Sequence, residues 1–296
     1  MTPILVTGGT GQLAVALARA GGPAVHAVGR PELDFDRPET LAAVFHRVGP
    51  ALVVNAAAWT AVDAAEAEPD AARRANADGP AVLAALCARA GIPLVHVSTD
   101  YVFDGLKGAP YTEDDPVNPT GVYGATKLAG ERAALAANPR TLVLRTSWVY
   151  SATGRNFVRT MLDVARTRDR LRVVADQKGC PTAAADLAAA TLALAERLGR
   201  GWRDDYAGVF HAAGEGWTTW HGLAEAAFQE ATRHGRPAPV VEAIATADWP
   251  TPARRPPDSR LDCDKLARVF GLRLPPWRGS LARTVDELLG DGATAA

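Results

Sequence analysis

The stretch that most constrains this chain is its opening. A short apolar run, Ile4–Thr7, runs into Gly8-Gly9-Thr10-Gly11, and a helical pattern begins at Gln12. A strand that ends on glycines and restarts as a helix is the first half of a βαβ unit. The rhythm then repeats. Strand-like runs at 24–28, 51–55, 94–98 and 142–145 alternate with helical stretches at 12–20, 38–48, 70–90 and 122–137. Such alternation predicts a parallel sheet, and the unbroken apolar character of the runs predicts helices on both its faces.

After about Arg145 the rhythm loosens. Strand-like runs at 171–174 and 209–212 flank a helical stretch at 184–198, and two closing helices are expected at 262–270 and 280–289. Six prolines fall between Pro237 and Pro257, so that part is expected to be loops around short helices. The expected fold is α/β: a Rossmann-type doubly wound parallel sheet with a smaller, interleaved C-terminal substrate domain. Residues 1–148 and about 181–214 would form the nucleotide-binding part. Residues 149–180 and 215–290 would form the substrate part, and 291–296 a disordered tail.

Four motifs carry chemistry. Glycines at Gly8 and Gly11 let the backbone turn tightly and approach a pyrophosphate resting on the next helix N-terminus. Gly8, Thr10, Gly11, Gln12 and Leu13 are therefore candidate dinucleotide contacts, while Ala14 takes the helix-packing position. The second strand ends in Val28-Gly29-Arg30 rather than in an acid. Arg30 suits a 2′-phosphate, which favours NADPH with NADH tolerated; the bland reading is a surface charge. Asp34 and Phe35 are expected to flank the adenine. Tyr123 and Lys127 lie four apart and share a helix face. An ammonium there is expected to lower the phenol pKa from about 10, so that the tyrosine exchanges a proton with a substrate oxygen. Thr99, at the C-terminal end of a strand, would hydrogen-bond the same oxygen; its bland reading is a strand-end cap.

Charge and cysteines exclude other classes. Lys plus Arg total 32 against 33 Asp plus Glu, a net charge of −1 that disfavours nucleic acid or an anionic membrane as partner. Three scattered cysteines without a C-x-x-C pair read as reduced thiols. With no basic leader and no apolar run near ~20 residues, the expectation is a cytoplasmic protein. The histidines show no H-E-x-x-H spacing, so no metal is expected.

Together these motifs resemble the extended short-chain dehydrogenase/reductase superfamily. Further stretches resemble the dTDP-4-dehydrorhamnose reductase family almost end to end. They are Asn55 to Asp63, Ser98 to Phe103, Val122 to Glu131, Arg145 to Tyr150, Asp176 to Thr182, Thr218 to His221 and Thr251 to Leu261. The resemblance implies an NAD(P)H-dependent reduction of the C4 ketone of dTDP-4-dehydro-6-deoxy-L-mannose to dTDP-L-rhamnose. Tyr123 would be the proton donor, Lys127 its partner and Thr99 the residue tuning the transfer. Ala56, Ala57 and Ala58 would line the cofactor. Thr60, Asp100, Tyr101 and Trp148 would line the sugar nucleotide, and Arg255 in the Pro-rich segment would meet its diphosphate or remain a solvated charge.

Two departures stand out. Trp59 occupies a place where the resemblance leads one to expect histidine. Ala16 and Ala185 occupy places where carboxylates would bridge a magnesium-linked dimer, which leaves a monomer or a metal-free homodimer. Sugar-nucleotide 4,6-dehydratases carry Asp-Glu after the strand-end threonine; here Tyr101 follows Asp100, so water elimination is not expected. Two rivals stay open: a 4-ketoreductase for another dTDP-deoxysugar, and a non-catalytic nucleotide-binding regulatory subunit.

Overall fold

The computed structural model describes residues 2–290; the tail expected at 291–296 lies outside them. In chain order the first half runs β1 (Ile4–Thr7), α1 (Gln12–Gly21), β2 (Val25–Val28), α2 (Pro38–Val48), β3 (Leu52–Asn55), α3 (Val62–Ala67), α4 (Pro69–Arg73), α5 (Gly79–Ala90), β4 (Leu94–Thr99), α6 (Val122–Ala137) and β5 (Thr141–Thr146). The second half runs β6 (Val149–Tyr150), α7 (Phe157–Val164), β7 (Arg170–Val174), β8 (Lys178–Gly179), β9 (Thr182–Ala183), α8 (Ala184–Gly199) and β10 (Gly208–His211). It closes with β11 (Thr218–Thr219), α9 (Trp220–Thr232), β12 (Val240–Ile244), α10 (Asp264–Phe270) and α11 (Trp277–Gly290).

Six strands form one sheet in the order β10-β5-β4-β3-β1-β2, and every pairing within it is parallel. This is the expected doubly wound sheet. Apolar side chains pack on both faces. Leu13, Leu17, Leu187 and Leu194 cover one side, and Leu41, Val44, Phe45 and Leu83 the other. The order reverses between β1 and β3, and a crevice at the carboxyl ends beside such a reversal is where open α/β sheets bind ligands.

Three differences from the sequence reading have physical causes. The helix expected over 70–90 is broken by a π turn, Arg74–Asp78, between α4 and α5. Asn76 in that turn is fully buried. Its carboxamide accepts from the Trp59 backbone N–H (2.8 Å), and its NH2 donates to the Trp59 carbonyl (3.2 Å) and to Thr126 (3.1 Å). The Pro-rich region is not all loop: β12 pairs in parallel with β7, an edge position that tolerates the proline just before it. Finally, Leu266, Phe270 and Leu274 pack into the core on the β10 side of the sheet. The boundary expected at 214 is therefore crossed by α10.

Candidate active site

A cleft of about 780 Å³ runs along the carboxyl ends of β1, β3, β4 and β5. Its lining includes Gly8, Thr10, Gly11, Gln12, Leu13, Arg30, Phe35 and Ala56 to Ala58 on one side. It also includes Thr60, Thr99, Asp100, Tyr101, Tyr123, Lys127 and Trp148. Asp34 and Arg255 are not part of it.

The cofactor end is shaped by backbone. Gly8 sits at φ +82°, and a Cβ there would meet the Ala56 carbonyl and the Ala57 backbone at 3.0 Å. Only glycine fits between the two turns. The Gly11 N–H closes the loop onto the Gly8 carbonyl (2.7 Å), which leaves the α1 N-terminus open to an anion. Such a cradle fits the diphosphate of a dinucleotide. Beneath it, the Thr7 hydroxyl accepts from the Ala57 N–H (3.1 Å), and Asn55 meets His96 (2.9 Å).

Arg30 is more constrained than a free phosphate clamp. Its guanidinium is held by Asp34 and Asp36, each at 3.1 Å, and Arg74 joins Asp36 at 2.6 Å. Those two arginines keep the Asp36 carboxyl below its usual range, the Arg74 hydrogen bond being the largest cause. Asp34 is thus engaged by Arg30 and does not line the cleft. Phe35 does reach the cleft, with its ring against Gly79.

The reacting end is built on α6. Glu66 caps it, accepting from the Val122 N–H at 2.8 Å, a carboxylate placed on the positive end of the helix. Further along, Glu131 takes a two-pronged contact from Arg145 of β5 (2.9 and 2.7 Å) and a hydrogen bond from Ser98 of β4. This buried pair locks α6 to the sheet and so fixes Tyr123 and Lys127 relative to Thr99. The Lys127 ammonium, 2% exposed, donates to the Val97 carbonyl (2.7 Å). Burial pulls its pKa down to about 8, with Glu131 acting in the opposite direction.

Burial pushes the Tyr123 phenol up to about 12; a hydrogen bond from Thr99 works against the rise, and Asp100 adds to it. Burial outweighs the lowering expected from Lys127, whose ammonium donates to the Val97 carbonyl. A high value suits a donor: the phenol holds its proton at neutral pH until a developing alkoxide, a stronger base, takes it. The Tyr101 ring packs edge-on against Tyr123 (centroids 5.6 Å apart, 76°).

Trp148 stands at φ +47° and stacks on Trp220 (centroids 3.6 Å, 8°), with Gly179 beneath its edge. Sequence reasoning missed Trp220 as a cleft residue; the only sign was its place within the Thr218 to His221 stretch. Arg255 grips Asp63 through two contacts (2.8 and 3.1 Å). It ties the Pro-rich segment to α3 and does not line the cleft.

The model of the RmlD substrate binding domain matches residues 1–289. The chain belongs to the dTDP-4-dehydrorhamnose reductase family. It is 47% identical to a dTDP-4-dehydrorhamnose reductase of Sinorhizobium fredii, over 99% of each chain. A solved dTDP-4-dehydrorhamnose reductase of Clostridium acetobutylicum superposes with a TM-score of 0.88 at 37% identity, covering 97% of this chain and 99% of that one. The Bacillus anthracis reductase, solved in complex with NADP, gives the same TM-score and coverages at 32% identity. Among the described residues no group of three or more His, Cys, Asp or Glu is placed to hold a metal, and no helix is long and apolar enough to cross a membrane.

Proposed function

We propose that this protein reduces the C4 ketone of dTDP-4-dehydro-6-deoxy-L-mannose to dTDP-L-rhamnose, with NADPH preferred and NADH tolerated. The observation that carries the reading is the meeting, in one cleft, of the Gly8–Gly11 cradle with Tyr123, Lys127 and Thr99. When bound, NADPH supplies the hydride to C4. Gly8 to Leu13 and Ala56 to Ala58 would hold it, with Arg30 toward its 2′-phosphate. Tyr123 gives its proton to the C4 oxygen as the carbonyl carbon becomes tetrahedral. Thr99 donates a hydrogen bond to the same oxygen, and Lys127, beside Tyr123 on α6, would hold the nicotinamide ribose. Thr60, Asp100 and Tyr101 line the sugar nucleotide, and the Trp148–Trp220 stack forms an apolar wall suited to a 6-methyl group.

The cofactor half would comprise residues 1–148 and about 181–214, with 262–274 added to its core. The rest of 149–180 and 215–290 would form the substrate half. The test is incubation with dTDP-4-keto-6-deoxysugars and NADPH, followed by NMR of the product. A rhamnose configuration supports the assignment. Another configuration would make the protein a different 4-ketoreductase, and cofactor binding without turnover would favour a regulatory subunit.

A further inference from the structure

Thr99 has one proton to give and more than one neighbour to give it to. Its oxygen already accepts from the Tyr101 N–H at 3.2 Å and lies 3.1 Å from Asp100 Oδ1. Thr99 also sits close enough to the Tyr123 phenol to hold its pKa down against burial. Asp100 is 2% exposed and lines the cleft, and its Oδ2 has no hydrogen-bond partner. The groups around it are sparse. Ser259, in the Pro-rich segment, and the backbone N–H groups of Asp100 and Tyr101 hold the carboxyl pKa down against burial. Tyr101 on the same turn, Tyr123 on α6 and Cys180 between β8 and β9 are the titratable groups that feel its charge. No arginine or lysine pairs with it among the described residues; Lys127, also on α6, is bound to Val97.

Two proton arrangements follow. With Asp100 ionised, Thr99 donates to the carboxylate and turns only lone pairs toward the cleft. With Asp100 protonated, the carboxyl donates to Thr99 and the threonine proton swings toward the substrate. We infer that Asp100 is a positioning residue whose acid form aims the Thr99 proton at the C4 oxygen, beside the proton of Tyr123. The inference rests on the reductase reading and deepens it. An ionised Asp100 would do further harm, because its negative charge opposes the charge developing on that oxygen. Burial raises the Asp100 carboxyl to about 7, so the acid form is well populated at neutral pH.

The test is the pH profile of kcat and KM for the wild type and Asp100→Asn, whose amide mimics the acid form. In the wild type kcat should fall about tenfold between pH 6 and pH 8, as expected for one essential acid titrating near 7. In Asp100→Asn that fall should begin about one pH unit higher, at the Lys127 ionisation, with KM for the keto-sugar within twofold. An unmoved fall would overturn the inference. So would a raised KM on an unchanged profile, which makes Asp100 a plain substrate ligand. Ser259→Ala is the second variant: loss of a donor to the carboxylate should move the wild-type fall to higher pH, and a fixed position counts against the idea. Infrared difference spectra provide a readout without substrate. A carboxylic C=O band titrating between pH 6 and 8 should be present in the wild type and absent in Asp100→Asn. A wild type that shows the band but no turnover would defeat the reductase reading alone; a missing band would defeat the inference alone.

Discussion

Gly124 follows Tyr123 on α6 and lies against the turn that carries Asp100 and Tyr101. A Cβ at this position would stand 2.1 Å from the Tyr101 carbonyl oxygen and 3.0 Å from Pro119 Cβ, where 3.4 Å is an ordinary contact. Gly124→Ala must therefore part α6 from that turn by about 1.3 Å, the gap between 2.1 and 3.4 Å. The obstructing atom is backbone, so no side chain can swing aside. Overpacking of this kind costs about 1–3 kcal/mol, and alanine's better helix propensity returns about 0.5–1 kcal/mol. The net loss is on the order of 1–2 kcal/mol, which lowers Tm by a few degrees in a chain of this size. The kinetic loss should be much larger. A displacement of about 1 Å between reacting groups costs on the order of 10²-fold, and this one separates Tyr123 from Thr99. Calorimetry and steady-state kinetics on the same preparation give both quantities. A kcat within threefold of wild type, with the fold intact, would refute the claim that this close approach sets the catalytic geometry.

Other outcomes can be stated now. Tyr123→Phe keeps the ring and removes the proton, so kcat should fall by about 10²-fold or more while titrated NADPH affinity barely changes. Arg30→Ala leaves Asp34 and Asp36 without their shared cation, so NADPH should weaken by roughly tenfold or more and NADH little; equal losses by titration would return Arg30 to a surface role. Trp148→Ala removes one ring of a stacked pair, worth about 0.5–1.5 kcal/mol beyond its buried area. Tm should fall modestly and kcat/KM for the keto-sugar sharply, with dTDP inhibition kept; a large Tm drop with both ligands weakened would make Trp148 a core residue only.

The sheet was legible because each strand is an apolar run closed by a glycine or polar residue, and because α2 and α6 show their bounds in residue pattern. The nucleotide turn and the Tyr123–Lys127 spacing were legible for the same local reason. What escaped depends on partners distant in sequence. Nothing around Asn76 announces a π turn; its need arises only when Trp59 and Thr126 arrive. Asp34 reads as a ligand in isolation, and its ion pairs with Arg30 and Arg37 show only in the folded chain. The α9 helix was lost beside the proline segment, although Leu223, Ala227 and Ala231 bury one face. The Tyr123 phenol was misjudged in direction because sequence shows the lysine but not the depth of burial.

The left-handed backbone at Trp148 also marks where the chain changes layers. β5 ends at Thr146 within the central sheet, while Val149 and Tyr150 pair with β9 outside it. A residue forced to positive φ reverses the chain's course there, and an L side chain in that conformation costs on the order of 1 kcal/mol. The same residue presents its indole to the cleft. One point where the chain leaves the central sheet and the wall of the cleft are therefore one residue. Any rocking of the outer layer against the sheet would swing the indole directly.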